Sequence, residues 1–188
     1  MFIQTEETPN PAALKFLPGR PVLESGVADF TSREASANSP LARLLFEIEG
    51  VTGVFLGSDF ITVTKTDEKD WQTVKPLILG AVMDHFVSGA AVMESAAEVD
   101  EVDDEFHDDD VDDEVISQIR ELIDTRVRPA VAQDGGDIVY RGFKNGTVYL
   151  HLRGSCAGCP SASATLKMGI ENMLRHYVPE VTQVEAVA

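Results

Sequence analysis

Apolar and polar positions change period several times along the chain, and each change marks an element. Residues 2–5 and 14–17 read as short strands, with turn chemistry at Thr8-Pro9-Asn10-Pro11 and Pro18-Gly19. Residues 27–30 predict a third strand. Ser39-Pro40 then opens a helix, with serine as N-cap and proline in the first position. Leu41, Leu44, Leu45 and Ile48 recur at helical spacing, and Gly50 ends the run. Val54-Phe55-Leu56 and Ile61-Thr62-Val63-Thr64 flank Gly57-Ser58-Asp59, the pattern of a hairpin. Trp71, Val74, Ile78, Val82 and Phe86 mark a further helix, in which Pro76 predicts a kink or a later start.

A second periodic region follows. Val115, Ile116, Ile119, Leu122 and Ile123 form one helical face, with Asp112-Asp113-Glu114 at its positive end and Pro129 near its close. Gln133-Asp134-Gly135-Gly136-Asp137 predicts a tight turn. Residues 138–143 and 147–152 form a hairpin across Lys144-Asn145-Gly146, because Asn-Gly tolerates the positive φ that such turns need. Residues 154–160 are a loop. Residues 161–177 then form a helix with Leu166, Ile170, Met173, Leu174 and Tyr177 on one stripe, and residues 181–187 predict a last strand. Methionines in such stripes fill gaps in a core.

Between these regions the pattern stops. Residues 98–114 hold 12 acidic side chains and no Lys or Arg, and they dominate a net charge of −17. The residues before them sum to −6 and those after them to +1. A segment so acidic and so poor in apolar residues cannot bury enough surface to offset its chain entropy, and it reads as a solvated tether. Its acids lack the spacing of a calcium loop. The expected fold class is α+β: two small α/β-layered domains, 1–89 and 112–188, joined by an acidic disordered linker at 90–111.

Composition removes several classes. With 188 residues, 44% hydrophobic and 7% aromatic, the chain suits one or two domains of roughly 100 residues and is neither fibrous nor wholly disordered. No apolar run approaches the ~20 residues of a membrane helix. The acidic balance makes the chain a poor binder of nucleic-acid phosphates. Its opening residues lack a secretory signal and are too acidic for a transit peptide. The expected setting is therefore reducing: a bacterial cytoplasm, with the mitochondrial matrix as the alternative for a processed chain. Two cysteines make no disulfide scaffold. In the first half no catalytic constellation stands out, and His85 reads as a surface or capping residue rather than a ligand.

Both cysteines lie in Gly154-Ser155-Cys156-Ala157-Gly158-Cys159-Pro160, after a strand and before a helix. Cys-x-x-Cys brings two sulfurs close enough to share a metal or to oxidise together. A helix N-terminus lowers thiol pKa, and the glycines keep the backbone clear of the sulfurs. Four readings stand. Two buried structural thiols fit poorly with the surrounding Gly and Ser. A thioredoxin-like redox pair would need more fold than the one helix and one strand that follow. Structural zinc would need two further ligands, with His151 or His176 as candidates. An iron–sulfur cluster takes four cysteines, so two copies of this chain related by a two-fold axis would share it. A cluster split across a subunit boundary lies near solvent and is releasable, as suits a carrier.

The motifs Asp134-Gly135-Gly136-Asp137, Val148-Tyr149-Leu150, Gly154 through Ser161 and Thr165-Leu166-Lys167 resemble the NifU C-terminal domain of Nfu-type iron–sulfur scaffold proteins. The first half resembles the N-terminal module of that family at Phe2-Ile3-Gln4-Thr5-Glu6, Thr8-Pro9-Asn10-Pro11, Leu14-Lys15-Phe16-Leu17-Pro18-Gly19, Ala28-Asp29-Phe30, Ser39-Pro40-Leu41-Ala42 and residues 57–65. The resemblance implies a non-enzymatic carrier that holds a labile cluster, usually [4Fe–4S] with [2Fe–2S] as the alternative, and passes it to apo iron–sulfur proteins. It places the cluster on Cys156 and Cys159, in a homodimer when loaded. It also implies a partner-recognition role for 1–89 and upstream assembly machinery as donor, with neither nucleic acid nor membrane as a partner.

Overall fold

The computed structural model describes residues 1–95, 106–107 and 112–187. The chain divides into two compact units, Met1–Val99 and Asp100–Ala188, each with its own sheet and apolar core. Most of the expected acidic tether falls outside the described residues. Its beginning is corrected: the Ser39 hydroxyl donates to the Val92 carbonyl, Glu94 N–H donates to the Asn38 carbonyl, and Arg43 pairs with Glu94 at 3.1 Å. Residues 92–94 are thus tied to the first unit. Phe106–His107, also inside the expected tether, pairs in parallel with Gly142 and Phe143.

In the first unit, strands β1 (Gln4–Glu7), β2 (Ala13–Leu17), β3 (Ala28–Phe30), β4 (Val51–Leu56) and β5 (Ile61–Lys65) form one sheet in the order β1-β2-β5-β4-β3. Every neighbouring pair is antiparallel. The register places Leu14 opposite Val63, Phe16 opposite Ile61 and Val54 opposite Val63. Those side chains therefore share one face, and they pack in one core with α1 (Pro40–Phe46) and α2 (Trp71–Ser88). β1 starts two residues later than its own pattern suggests, because pairing with β2 decides its extent.

Ser39 caps α1 as expected: its hydroxyl oxygen accepts from Ala42 N–H at 3.1 Å. The helix closes at Phe46, before Gly50. Pro76 lies inside α2, and the helix starts at Trp71 all the same. The proline removes only the bond to the carbonyl of Gln72, an exposed residue whose carbonyl water can serve.

His85 departs from expectation. It is buried at 5% exposure, edge-on to Phe86 with ring centroids 5.6 Å apart, and among the described residues its Nε2 has no hydrogen-bond partner. Burial lowers its pKa, against a smaller raising effect from a hydrogen bond to the Ala90 backbone. The unfolded chain therefore binds a proton that the native imidazole resists. This contribution to stability is full above the unfolded pKa of about 6.5 and is lost as pH falls towards the native value. Melting of the first unit should fall between pH 7.5 and 5.5, and His85→Leu should shrink that difference. An unchanged pH slope in the variant would contradict the assignment.

The second unit begins with α3 (Asp113–Leu122), capped by the Asp112 carboxylate accepting from Glu114 N–H at 3.2 Å. The helix was expected to stop near Pro129. Instead it passes through a π turn, Ile123–Val127, into α4 (Arg128–Gln133), with Pro129 in the first turn of α4. There a missing N–H costs little, and the wider turn ahead eases the ring past the preceding carbonyls. β6 (Phe106–His107), β7 (Gly136–Lys144), β8 (Thr147–Gly154) and β9 (Gln183–Val187) lie in the order β6-β7-β8-β9. β7 and β8 form the expected hairpin, with Asn145 at φ 51° and Gly146 at φ 78°. β8 runs through α5 (Pro160–Tyr177) into parallel β9. This crossover buries Ile170 and Leu174 of α5 in one core with Ile116 and Ile119 of α3.

Candidate functional site: a two-thiol loop

The Cys-x-x-Cys loop joins the end of β8 to the start of α5. Antiparallel pairing sets Gly136 opposite Gly154 and Asp137 opposite Arg153. The Asp134-Gly135-Gly136-Asp137 turn and the cysteine loop are therefore held side by side at one end of the hairpin. Ser155 fastens them together: its N–H donates to the Gly135 carbonyl at 3.2 Å, and its hydroxyl donates to the Asp134 carbonyl. Cys156 N–H donates to the Arg153 carbonyl at 3.3 Å, and the Ser163 hydroxyl of α5 donates to the Cys156 carbonyl at 3.0 Å.

Gly136 makes room for the first thiol. A Cβ at this position would lie 2.5 Å from Cys156 Sγ and 2.8 Å from the Arg153 carbonyl oxygen. Neither neighbour can move freely, since one is a buried side chain and the other is strand backbone. Only glycine fits here.

The two thiols differ. Cys156 is 6% exposed, whereas Cys159 is partly exposed at the N-cap of α5, its Sγ 3.5 Å from the Ser161 hydroxyl. Burial pushes the Cys156 thiol up to about 11, helped by the Asp134 and Asp137 charges and opposed by a hydrogen bond with Ser155. The expected lowering by the helix N-terminus thus fails for Cys156, which precedes the helix and loses more by desolvation. In reduced, metal-free protein at pH 7, iodoacetamide should alkylate Cys159 first, because only ~10⁻⁴ of a thiol with that pKa is ionised. Peptide mapping showing equal labelling of both would contradict this asymmetry.

Behind the turn lies an ion pair that sequence reading missed. Arg128, in the first turn of α4, meets Asp137 with both ends of its fork: Nε to Oδ1 at 2.8 Å and Nη2 to Oδ2 at 2.9 Å. Asp137 is 4% exposed, and its carboxylate is neutralised there by the guanidinium. Asp124 adds a contact to Arg128 Nη1 at 3.4 Å. One signal was available: Asp137 opens the apolar run Ile138-Val139-Tyr140, where an acid needs a partner.

The zinc candidates do not converge. His151 lies on β8 and His176 near the far end of α5. Among the described residues, no group of three or more His, Cys, Asp or Glu is placed to hold a metal ion. Each chain thus offers two thiols at one loop. Such a donor set fits a soft, thiolate-bound cluster only when it is completed from outside the chain.

Known proteins carry the same arrangement of modules. Residues 3–89 match the family model "Scaffold protein Nfu/NifU N terminal", and residues 119–185 match "NifU-like domain". The human "NFU1 iron-sulfur cluster scaffold homolog, mitochondrial" is 53% identical over 188 residues, covering 100% of this chain and 72% of that protein. "NifU-like protein 5, mitochondrial" of Arabidopsis thaliana is 51% identical over 187 residues, covering 98% of this chain and 67% of that protein. A solution NMR structure of a NifU-like protein from Saccharomyces cerevisiae shares 28% identity at a TM-score of 0.45, over 50% of this chain and 86% of that one. Two modules in the same order, at about half identity along the whole length, leave one assignment: the chain belongs to the Nfu/NifU family of iron–sulfur cluster scaffold proteins.

Proposed function

We propose that the protein is a carrier that receives an iron–sulfur cluster as cargo, holds it between two chains on Cys156 and Cys159, and passes it to apo-proteins. The observation that carries this reading is the two-thiol loop with no third ligand gathered around it among the described residues. A [4Fe–4S] cluster takes four cysteines, and a second copy supplies the missing pair. Transfer is ligand exchange. An acceptor thiol forms a new Fe–S bond as the bond to Cys159 breaks, and the acceptor's proton passes to the departing Cys159 thiolate. Only iron–thiolate bonds are exchanged and no electron moves, so the role is that of a carrier and not an enzyme. Cys159, the more exposed ligand, is the natural first to leave. The first unit docks partners, both donor machinery and acceptors. The mitochondrial names of the relatives support the mitochondrial alternative over a bacterial cytoplasm.

Anaerobic reconstitution with iron and sulfide tests this. A shared [4Fe–4S] cluster gives about two irons and two sulfides per chain, a shared [2Fe–2S] cluster about one of each. Mössbauer spectra should show the cluster type, and sedimentation should show a dimer that dissociates on cluster loss. A monomer with a full complement, or protein that retains zinc alone, would overturn the proposal.

A further inference from the structure

Cys159 stands at the N-cap of α5 with its Sγ beside the Ser161 hydroxyl, 3.5 Å away. Ser161 opens one side of the helix. Ala164, Thr165, Met168 and Asn172 follow it at offsets of three, four, seven and eleven residues, so all five share a stripe. Each of the five is exposed. Ile170 and Leu174, on the opposite side, go into the core. The partly exposed thiol and this stripe therefore form one continuous surface.

That surface carries no charge. No charged side chain stands between Arg153 and Lys167. Lys167 lies off the stripe and pairs with Glu185 of β9 at 3.0 Å. Glu171 is turned to β9 as well, where it accepts from Val184 N–H at 3.2 Å, and it meets Arg175 at 3.7 Å. Met168, 66% exposed, is the largest apolar side chain on the stripe. Among the described residues, the other large apolar side chain exposed in the second unit is Tyr177, which lies under the Arg126 guanidinium at 4.8 Å.

The ligand count selects what covers this stripe. Cys156 and Cys159 offer two thiolates to a cluster that takes four, so the site is incomplete until a second loop comes within a cluster's width of the first. Under a two-fold axis, like surface meets like. Any charge on the stripe would then face its own copy, and in a chain of net charge −17 this stripe has none to set against itself. A stable protein interface takes about 20–30 residues a side. The stripe and the loop give far fewer, so the cluster itself completes the hold, and the pair parts when the cluster leaves.

We propose that in the loaded dimer the two α5 helices leave the cluster side by side and pack through Ser161, Ala164, Thr165 and Met168, and that this contact sets how long the cluster is kept. The inference rests on the reading of the protein as a two-chain carrier. The test uses the full chain with Met168→Glu and with Met168→Lys, good helix formers at an exposed position in mid-helix. Each variant alone sets like charges face to face. After anaerobic reconstitution, loss of the visible chromophore to a chelator should be about tenfold faster in either variant than in the unaltered chain, and sedimentation should show a weaker loaded dimer. In an equimolar mixture of the two variants reconstituted together, the mixed dimer should dominate and keep its cluster to within about twofold of the unaltered rate, because opposite charges then meet. Unchanged loss in both single variants would overturn the assignment of this stripe and leave the carrier reading standing. Faster loss without rescue in the mixture would overturn the second copy as occupant, and so would normal retention with slower transfer to an apo-protein. A cluster held by a single unaltered chain, or none at all, would remove both readings.

Discussion

Cys156→Ser or Cys159→Ser should each abolish cluster loading. After anaerobic reconstitution the visible chromophore should be absent, iron and sulfide should fall to background, and the cluster-dependent dimer should be lost. The effect is all-or-none because of stoichiometry. A single substitution removes two of the four ligands from a symmetric dimer, one on each side, and a serine hydroxyl is a hard and poorly ionised substitute for a thiolate. The fold should survive. Serine is close to cysteine in size, Cys159 is partly exposed, and the backbone bonds of the loop to Arg153 and Ser163 do not use the thiol. Circular dichroism and melting near those of the unaltered protein, together with zero cluster, is the expected pair of results. A retained cluster in both variants would contradict the ligand assignment.

Arg128→Met should destabilise the second unit by about 1–3 kcal/mol, because it leaves the buried Asp137 carboxylate without its partner, while the partly exposed position of Arg128 keeps the loss below that of a fully buried pair. Asp137 is the one stranded: its side chain is 6% exposed, while that of Arg128 is 41% exposed and keeps its contact with Asp124. The asymmetry makes a second expectation. Asp137→Asn, which leaves the guanidinium partly in water and keeps an acceptor for it, should cost less. The double variant Arg128→Met with Asp137→Asn should recover part of the loss, as coupled sites do. Chemical denaturation of the four proteins closes the cycle. The pair also bears on function, since Asp137 directly follows Gly136, the residue whose bare Cα admits the Cys156 thiol. Loading per folded chain should therefore fall in Arg128→Met even where the unit remains folded. Additive losses across the cycle would show that the two residues act separately.

Local chemistry made some of this legible without coordinates. The Ser39 cap, the Asn145-Gly146 turn, the Gly57-Ser58-Asp59 hairpin and the Cys-x-x-Cys loop each depend on neighbours within a few residues. Their backbone preferences act in any context. The division into two modules was legible for the same kind of reason, because an acidic run so poor in apolar positions cannot form a core.

Other features rest on contacts between residues far apart in the chain. The limits of β1 depend on β2, and the passage through Pro129 on how α3 and α4 meet the sheet. Neither is written in a local period, whereas the burial of His85 is: it stands three residues after Val82 and seven after Ile78, on the buried stripe of α2. The site divides in the same way. The sequence alone puts both thiols of the chain in one loop, and two are fewer than the four cysteines that an iron–sulfur cluster takes. The β7–β8 register then brings Gly136 against Cys156 from 20 positions away, and Arg128 onto the Asp137 carboxylate from α4. Tertiary structure alone decided which thiol is buried, because the pairing that sets the turn against the loop also removes Cys156 from water and leaves Cys159 at the open end of a helix.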